Sequence, residues 1–138
     1  NMNVEELTRE LGKAIQQDER YKDYVAAKAA NDEDKDLNEM IGKLNLIQMN
    51  YQQEAGKETP DDVKMNSFDK EFRDLYTQIM QNPNMQNYEM ARGAIDDMMN
   101  RCMQILTLCV NGADPETCEP EAHADCTGSC SSCGGGCH

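Results

Sequence analysis

The clearest structural signal in the chain is the segment 82–112, which reads NPNMQNYEMARGAIDDMMNRCMQILTLCVNG. Asn82-Pro83 interrupts any helix that precedes it, whereas Gly112 is the residue type that most often follows the last turn of a helix. Between these two points, apolar, aromatic or small side chains recur at alternating steps of three and four residues, at Tyr88, Ala91, Ile95, Met98, Cys102, Ile105 and Cys109. This spacing predicts one long helix whose apolar face is a continuous seam.

The first half of the chain has the spacing of three further helices. An amphipathic helix runs to about Gln17, and Asp18 is a suitable N-cap for a second, short helix. A long third helix runs from about Asn31 to Ala55 and ends at Gly56. The seam of this third helix, again at steps of three and four, consists of Leu37, Met40, Leu44, Ile47 and Tyr51.

A fourth helix is predicted between Gly56 and Asn82. Thr59-Pro60-Asp61-Asp62 is a good starting sequence, with Pro60 at the first helical position and acidic side chains in the first turn. The buried face of this helix consists of Phe68, Phe72, Leu75 and Ile79. The whole pattern predicts an all-α fold of about five helices, followed by an irregular cysteine-rich carboxyl-terminal tail. Two long helices are expected to form an antiparallel hairpin or bundle.

A weak internal repeat relates two parts of the helical region. Tyr24-x-x-Ala27-Lys28 recurs 64 residues later as Tyr88-x-x-Ala91-Arg92. The repeat predicts two helical units that pack in a similar way, and coincidence is the alternative because any two heptad helices align passably. The tyrosines form either a paired recognition surface or half-buried contacts beside solvated cations, and the second interpretation is favoured.

The amino-acid composition of the chain changes at Asn111-Gly112. After this point lie none of the 13 basic residues and five of the 26 acidic ones, but five of the seven cysteines. We therefore predict a helical domain over residues 1–111 and a cysteine-rich, metal-binding tail over residues 112–138. The net charge of −13 disfavours direct binding to nucleic acid or to an anionic membrane, because phosphate contacts need clustered Lys and Arg. Protein partners with a basic face are favoured instead.

The hydropathy of the sequence predicts the location and the oligomeric state of the protein. No apolar run approaches the roughly 18 residues of a membrane span, and the amino terminus lacks the basic-then-apolar layout of a signal peptide. We therefore expect a cytoplasmic protein without membrane insertion. Two long seams are more apolar surface than one helical layer covers, which predicts a homodimer.

Four cysteines near the end of the chain have the spacing of a metal site. They are Cys126, Cys130, Cys133 and Cys137, with Cys118 and His138 in reserve. Four thiolates suit an iron–sulfur cluster or tetrahedral zinc, and a reduced tail without metal is the alternative. Clustered cysteines in a reducing compartment favour metal over disulfides. The tail lacks the two CxxC knuckles of a zinc ribbon, which favours iron–sulfur.

The other reactive side chains have simpler interpretations. Cys102 and Cys109 lie at seam positions, where a packed thiol is the default, although Cys109 is close enough to the tail to reach a metal held there. Asp61-Asp62 and Asp96-Asp97 are neighbours on helices, so their carboxylates point in different directions. Both histidines lie in the tail. No nucleophile–base arrangement is apparent, and the sequence therefore predicts no enzyme.

Four motifs together identify a family resemblance. They are Tyr21-Lys-Asp-Tyr24-x-x-Ala27-Lys28, Ala55-Gly56-Lys57-x-x-Pro60, Asn82-Pro83-x-x-x-x-Tyr88-x-x-Ala91 and Ser131-Ser132-Cys133-Gly134-Gly135-Gly136-Cys137. With the opening helix, they make nearly the whole chain resemble the YlbF/YmcA family of small bacterial helical proteins. The last motif is similar to the YlbF branch in particular.

The resemblance implies a non-catalytic regulatory protein. YlbF-type and YmcA-type proteins associate with YaaT in a complex that carries [4Fe–4S] clusters and acts on RNase Y-dependent maturation of messenger RNA. Through that step the complex acts on competence, sporulation and biofilm formation, and related members form helical homodimers. Cys133 and Cys137 carry over from the shared motif as cluster ligands. Cys126 and Cys130 precede the motif, where the family has its further cysteines after it, and are assigned from spacing.

Two other functions are compatible with the sequence. One is a zinc-binding or metal-handling helical protein whose tail stores or delivers an ion, and it predicts exchangeable metal without dependence on partners. The other is a helical interaction module with an inert tail, and it predicts that truncation after Asn111 changes nothing.

Overall fold

The computed structural model describes residues 1–121, and the fold of this range is all-α, as predicted. The helices are α1 (Val4–Gln17), α2 (Glu19–Glu33), α3 (Lys35–Ala55), α4 (Asp62–Met80) and α5 (Pro83–Val110). No strand occurs between residues 1 and 121. Two compact units are present, one of residues 1–92 and a second that begins at Gly93, so α5 contributes its first turns to one unit and the remainder to the other.

Aspartate side chains start α2 and α3. Asp18 accepts a hydrogen bond at 2.8 Å from the backbone N–H two residues further on, as predicted for an N-cap. The third helix begins at Lys35, whereas the predicted start near Asn31 was wrong. The reason is that α2 continues through the polar run before Asp34. The carboxylate of Asp34 then accepts from the N–H of Leu37 at 3.0 Å and caps a new helix.

The fourth helix also begins later than predicted. Asp61 is its N-cap and accepts from the backbone N–H groups of Val63 and Lys64 at 2.9 and 3.2 Å. Pro60 precedes this cap and is not the first helical residue, because the carboxylate of Asp61 satisfies two free N–H groups of the first turn. Pro83, by contrast, is the first residue of α5, where its missing N–H costs no hydrogen bond.

The α3 and α4 helices form an antiparallel hairpin. Tyr51, near the end of α3, shares a surface groove with Met65 at the start of α4. Ile47, one turn earlier in α3, shares a groove with Phe72, further along α4. The α2 helix packs against both α1 and α3. On α3 and α4, every residue predicted to lie on the apolar face except Tyr51 is buried or half-buried. These residues are Leu37, Met40, Leu44, Ile47, Phe68, Phe72, Leu75 and Ile79.

Burial within residues 1–92 is uneven. Leu37 has 0% of its surface exposed and Ile79 has 3%. The apolar stripe of α1 is open instead, since Val4, Leu7 and Leu11 are 74%, 53% and 39% exposed. The predicted amphipathic helix is therefore present, but a single chain leaves most of its apolar face uncovered.

The loop between α3 and α4 is organised by a carboxylate that sequence reasoning missed. Glu54 is only 6% exposed and accepts hydrogen bonds from Lys57 Nζ and from the N–H of Asp61, both at 2.9 Å. The Lys57 hydrogen bond, followed by that of the Asp61 N–H, holds the pKa of Glu54 below its ordinary value. These contacts give the Gly56-Lys57 motif a structural role, because they fix the reversal of the chain that starts α4.

Replacing Glu54 with glutamine is expected to destabilise the fold in a pH-dependent manner. Because the folded pKa lies below the unfolded one, the carboxylate stabilises the fold fully above the unfolded pKa, and this contribution is lost as the pH falls through the folded pKa. The melting temperature of Glu54→Gln should therefore lie below that of the parent at neutral pH. The difference should shrink in acid below the ordinary glutamate pKa of 4.5. The exposed Glu58 provides the matched control, and identical pH curves for Glu54→Gln and Glu58→Gln would contradict this role.

Candidate metal centre and interaction surfaces

The end of α5 reverses the direction of the chain. Gly112 has a φ of +97°, a conformation that glycine adopts readily and other residues rarely do. Its N–H donates to the Cys109 carbonyl at 3.0 Å, and the N–H of Ala113 donates to the Leu108 carbonyl at 3.0 Å. These are the two hydrogen bonds of a Schellman motif, which confirms Gly112 as the residue that ends the helix.

The segment that follows returns along the last turns of α5. The carbonyl of Asp114 accepts a hydrogen bond from the N–H of Cys118 at 2.9 Å and forms a turn. Further along, the N–H of Glu121 donates to Gln104 Oε1 at 3.0 Å. The first ten residues of the predicted tail are therefore held against the helix, and the predicted boundary between residues 1–111 and 112–138 stays a prediction.

The reversal brings Cys118 back toward the last turns of α5, where Cys109 lies. Both are half-buried free cysteines. Burial, followed by the proximity of Cys109, raises the pKa of Cys118 above its ordinary value. Cys109 is half-buried on the predicted seam, and it is also the neighbour of Cys118, the reserve metal ligand. The sequence places Cys109 close to the tail but does not predict the position of Cys118, because helical spacing does not extend beyond Gly112.

The other cysteines assigned as metal ligands lie outside the described residues. This applies to Cys126, Cys130, Cys133 and Cys137, and likewise to His138. Within residues 1–121, no group of three or more histidine, cysteine, aspartate or glutamate side chains is arranged to hold a metal ion.

Asp34 connects two helix junctions. In addition to capping α3, its Oδ2 accepts hydrogen bonds from Asn82 Nδ2 at 3.1 Å and Asn84 Nδ2 at 3.0 Å. The N–H of Leu37 contributes most to a lowered pKa of Asp34, and the two amides add to it. Asn82 Oδ1 also accepts from the N–H of Met85 at 3.0 Å, at the start of α5. The Asn-Pro motif therefore ties the α4–α5 junction to the α2–α3 junction, which is a structural role.

The two copies of the internal repeat meet at Tyr24 and Tyr88. Their ring centroids are 5.8 Å apart with an angle of 32° between the ring planes. A hydrogen bond between the two side chains raises the pKa of Tyr88. The neighbouring cations, Lys28 and Arg92, make ion pairs within their own helices. Half-buried tyrosines beside solvated cations were the favoured interpretation, and the structure confirms it.

The paired acids have cap or surface positions. Asp61 uses its carboxylate to cap α4, and both members of Asp96-Asp97 are exposed on α5. The histidines, His123 and His138, lie outside the described residues. Of the paired carboxylates, that of Asp61 therefore has a structural role at the start of α4.

The second half of α5 has an open apolar stripe. Met99, Met103, Leu106 and Val110 follow one another at steps of four, three and four residues and are 41%, 55%, 50% and 85% exposed. Large contiguous apolar patches are uncommon on monomeric proteins and usually mark interaction sites. This stripe and the one on α1 are therefore candidate surfaces for contact with other chains.

These features define a class, a small all-α protein with apolar surfaces suited to other chains and a cysteine-rich carboxyl-terminal segment. Residues 4–111 match the protein family described as "Control of competence regulator ComK, YlbF/YmcA". The chain belongs to this YlbF/YmcA family, which confirms the resemblance in its motifs. The match does not separate the YlbF branch from the YmcA branch. No curated protein and no solved structure matches the chain.

The family description supports a regulatory role for the chain, since it names the control of another regulator. Such a role is consistent with a protein that acts by binding and not by catalysis. In residues 1–121, no helix combines the length and the apolar character needed to cross a membrane.

Proposed function

We propose that the chain is a non-catalytic regulatory subunit that binds other proteins within a complex like that of YlbF, YmcA and YaaT. The family match over residues 4–111 is the observation that carries this proposal. In the cytoplasm, such a complex carries iron–sulfur clusters and modulates RNase Y-dependent maturation of messenger RNA, and through it competence, sporulation and biofilm formation. The net charge of −13 favours an indirect effect on RNA, through protein partners.

The open apolar surfaces support a role in assembly. The stripe of Val4, Leu7 and Leu11 on α1 and the stripe from Met99 to Val110 on α5 both expose side chains that another chain can bury. Contact between two copies covers one such surface in the isolated protein, which is expected to be a homodimer. The second surface is then available to a YmcA-like or YaaT-like subunit.

The tail is proposed to hold a [4Fe–4S] cluster. Its donor set fits this group, because Cys126, Cys130, Cys133 and Cys137 supply four thiolates and the intervening glycines allow backbone N–H groups to approach the sulfur atoms. When bound, the cluster supplies redox sensitivity or stabilises the assembly. Cys118 and His138 are the reserve ligands.

Metal analysis of two matched proteins tests the cluster. The full chain and a chain ending at Glu121 are purified without oxygen, and iron, sulfide and zinc are measured beside the absorption spectrum. Glu121 is chosen because its N–H contact with Gln104 is the last described one, so the reversal after α5 is retained. Iron and sulfide with a broad visible band, lost on truncation, would support the proposal. Stoichiometric zinc would favour the metal-handling function, and no metal in the full chain, alone or with its partners, would contradict the cluster.

A further inference from the structure

Two adjoining grooves lie on the surface of the α3–α4 hairpin, with volumes of about 370 and 270 Å³. Tyr51 and Asp69 line both of them, so the grooves form one continuous surface. We propose that this surface is a docking site for a helix of a partner protein that presents an arginine and a large apolar side chain about one turn apart. The docking site rests on the proposed function, because it is one surface through which the chain binds another protein.

The larger groove is acidic. Asp62 and Asp69 line it together with Met65 and Asn66, and no Lys or Arg of residues 1–121 does so. Asp62 has no ion-pair partner among these residues, whereas Asp69 pairs with Arg73 at 3.2 Å on the exposed side of α4. Exposed pairs of this kind contribute little to stability, so they compete weakly with a new partner. An arginine from another chain therefore has two carboxylates within one groove to bind.

The smaller groove is mainly apolar. Ile47, Phe68 and Phe72 line it, and all three are half-buried, so part of each side chain remains open to the groove. Its volume of about 270 Å³ lies just below the roughly 300–1,000 Å³ of sites for small-molecule ligands. A single large side chain of a partner is the better match in size. Burial of a leucine there removes apolar surface of both chains from water.

Tyr51 lies where the two grooves meet, and it is the one residue of the predicted α3 seam that stays exposed. Its exposed fraction is 38%. The ring makes no aromatic contact, and the hydroxyl no hydrogen bond, with any other residue of the range 1–121. Guanidinium groups stack on tyrosine rings, and tyrosine and arginine are enriched at the energetic centres of protein interfaces. Tyr51 therefore suits an arginine that also binds Asp69.

The spacing of the grooves favours a helix as the occupant. Along α4, the two linings are displaced by about one turn, roughly 5.4 Å. Residues four apart on a helix lie on one face at a similar separation, so one partner helix can place a side chain in each groove. The carboxyl-terminal tail of the chain is a poorer occupant, because residues 112–138 include no Lys or Arg to bind the acidic groove.

The test is an NMR titration of the full-length chain, labelled with carbon-13 in its methionine and isoleucine methyl groups. The probes are alanine-based helical peptides that carry leucine and arginine four residues apart, in both orders. In matched peptides, citrulline replaces the arginine or alanine replaces the leucine. We expect the methyl signals of Met65 and Ile47, one in each groove, to shift, and that of Met49, which lines neither groove, to stay in place. Either replacement should raise the dissociation constant at least about fivefold.

Matched variants separate docking from attraction by the overall charge, since a chain with a net charge of −13 attracts any basic peptide. Asp69→Asn and Asp74→Asn each remove one negative charge and one exposed ion pair from α4, but only Asp69 lines the grooves. The first should weaken peptide binding at least about fivefold and the second less than about twofold. On α3, Tyr51→Ala and Met49→Ala should differ in the same way, because only Tyr51 lines the grooves.

Equal weakening by Asp69→Asn and Asp74→Asn would overturn the proposal, as would unshifted Met65 and Ile47 signals at the highest peptide concentration. Shifts of these signals with protein concentration alone would assign the surface to a second copy of the chain and would also overturn it. The titration contains no other subunit. A chain that binds the peptide but does not join YmcA-like and YaaT-like subunits would therefore contradict the proposed function and not the docking site.

Discussion

A Leu37→Ala variant is expected to lose about 2–5 kcal/mol of the free energy of unfolding, the usual cost of a cavity at a buried leucine. Leu37 is the largest side chain of residues 1–121 that is completely enclosed. It lies in the first turn of α3 and donates its N–H to Asp34, which also binds Asn82 at the α4–α5 junction. A cavity at this point therefore weakens the contact between the α2–α3 junction and the α4–α5 junction. Against a typical total of about 5–15 kcal/mol, the loss is large.

The measurement is thermal and urea unfolding followed by circular dichroism, with Leu46→Ala as the matched control. Leu46 lies in the same helix but is 56% exposed, so its truncation should change the free energy by no more than about 0.5 kcal/mol. For a unit of this size, each kcal/mol lost lowers the melting temperature by about 4–8 °C. Equal losses for the two variants would contradict the assignment of Leu37 as the centre of the core.

Replacement of Cys133 and Cys137 together by serine is expected to abolish both metal binding and partner assembly. Two of four proposed thiolates are removed, and serine is a poor ligand for iron or zinc at neutral pH. The two residues flank Gly134-Gly135-Gly136 in the motif shared with the YlbF branch, so the change affects the positions that the resemblance supports most directly. Iron, sulfide and zinc per chain should fall to background. Co-elution with YmcA-like and YaaT-like subunits should be lost in parallel.

Cys102→Ser provides the control for this variant. Cys102 is a half-buried thiol on the seam of α5 and does not belong to the proposed cluster, so its replacement should preserve metal content and assembly. Normal iron and sulfide in Cys133→Ser/Cys137→Ser would exclude these residues as ligands. Loss of metal with assembly intact would separate the cluster from the regulatory function.

The helices themselves were predictable because their signals are local. Asp18 caps α2 and Gly112 ends α5 as their residue types suggest, and the spacing of apolar side chains identified five helices. The errors also have local causes. The polar run after Asn31 is compatible with a helix end or a helix start, and only the hydrogen bond from the Leu37 N–H to Asp34 shows where α3 begins. At Pro60, the preference of proline for the first helical position predicted a start two residues too early, because Asp61 is the N-cap of α4.

For the candidate metal centre, the sequence predicts the ligands but the described residues do not test them. The resemblance and the spacing of cysteines point to the tail, and these assignments stay predictions because Cys126, Cys130, Cys133, Cys137 and His138 lie outside the described residues. The role of Glu54 and the hydrogen bond from the Glu121 N–H to Gln104 had no signal in the sequence. Both depend on a reversal of the chain, and a reversal joins residues that periodicity treats as unrelated.

By itself, the sequence determined the helical class, the five helices of residues 1–121 and the family, because periodicity, caps and motifs act over a few neighbouring residues. Only the tertiary structure decided which distant groups meet. The Asp34 carboxylate binds the amides of Asn82 and Asn84, which lie 48 and 50 residues further along, and Tyr24 packs on Tyr88. Such contacts form when helices dock, and docking is set by the fit and burial of whole faces, which no local pattern contains.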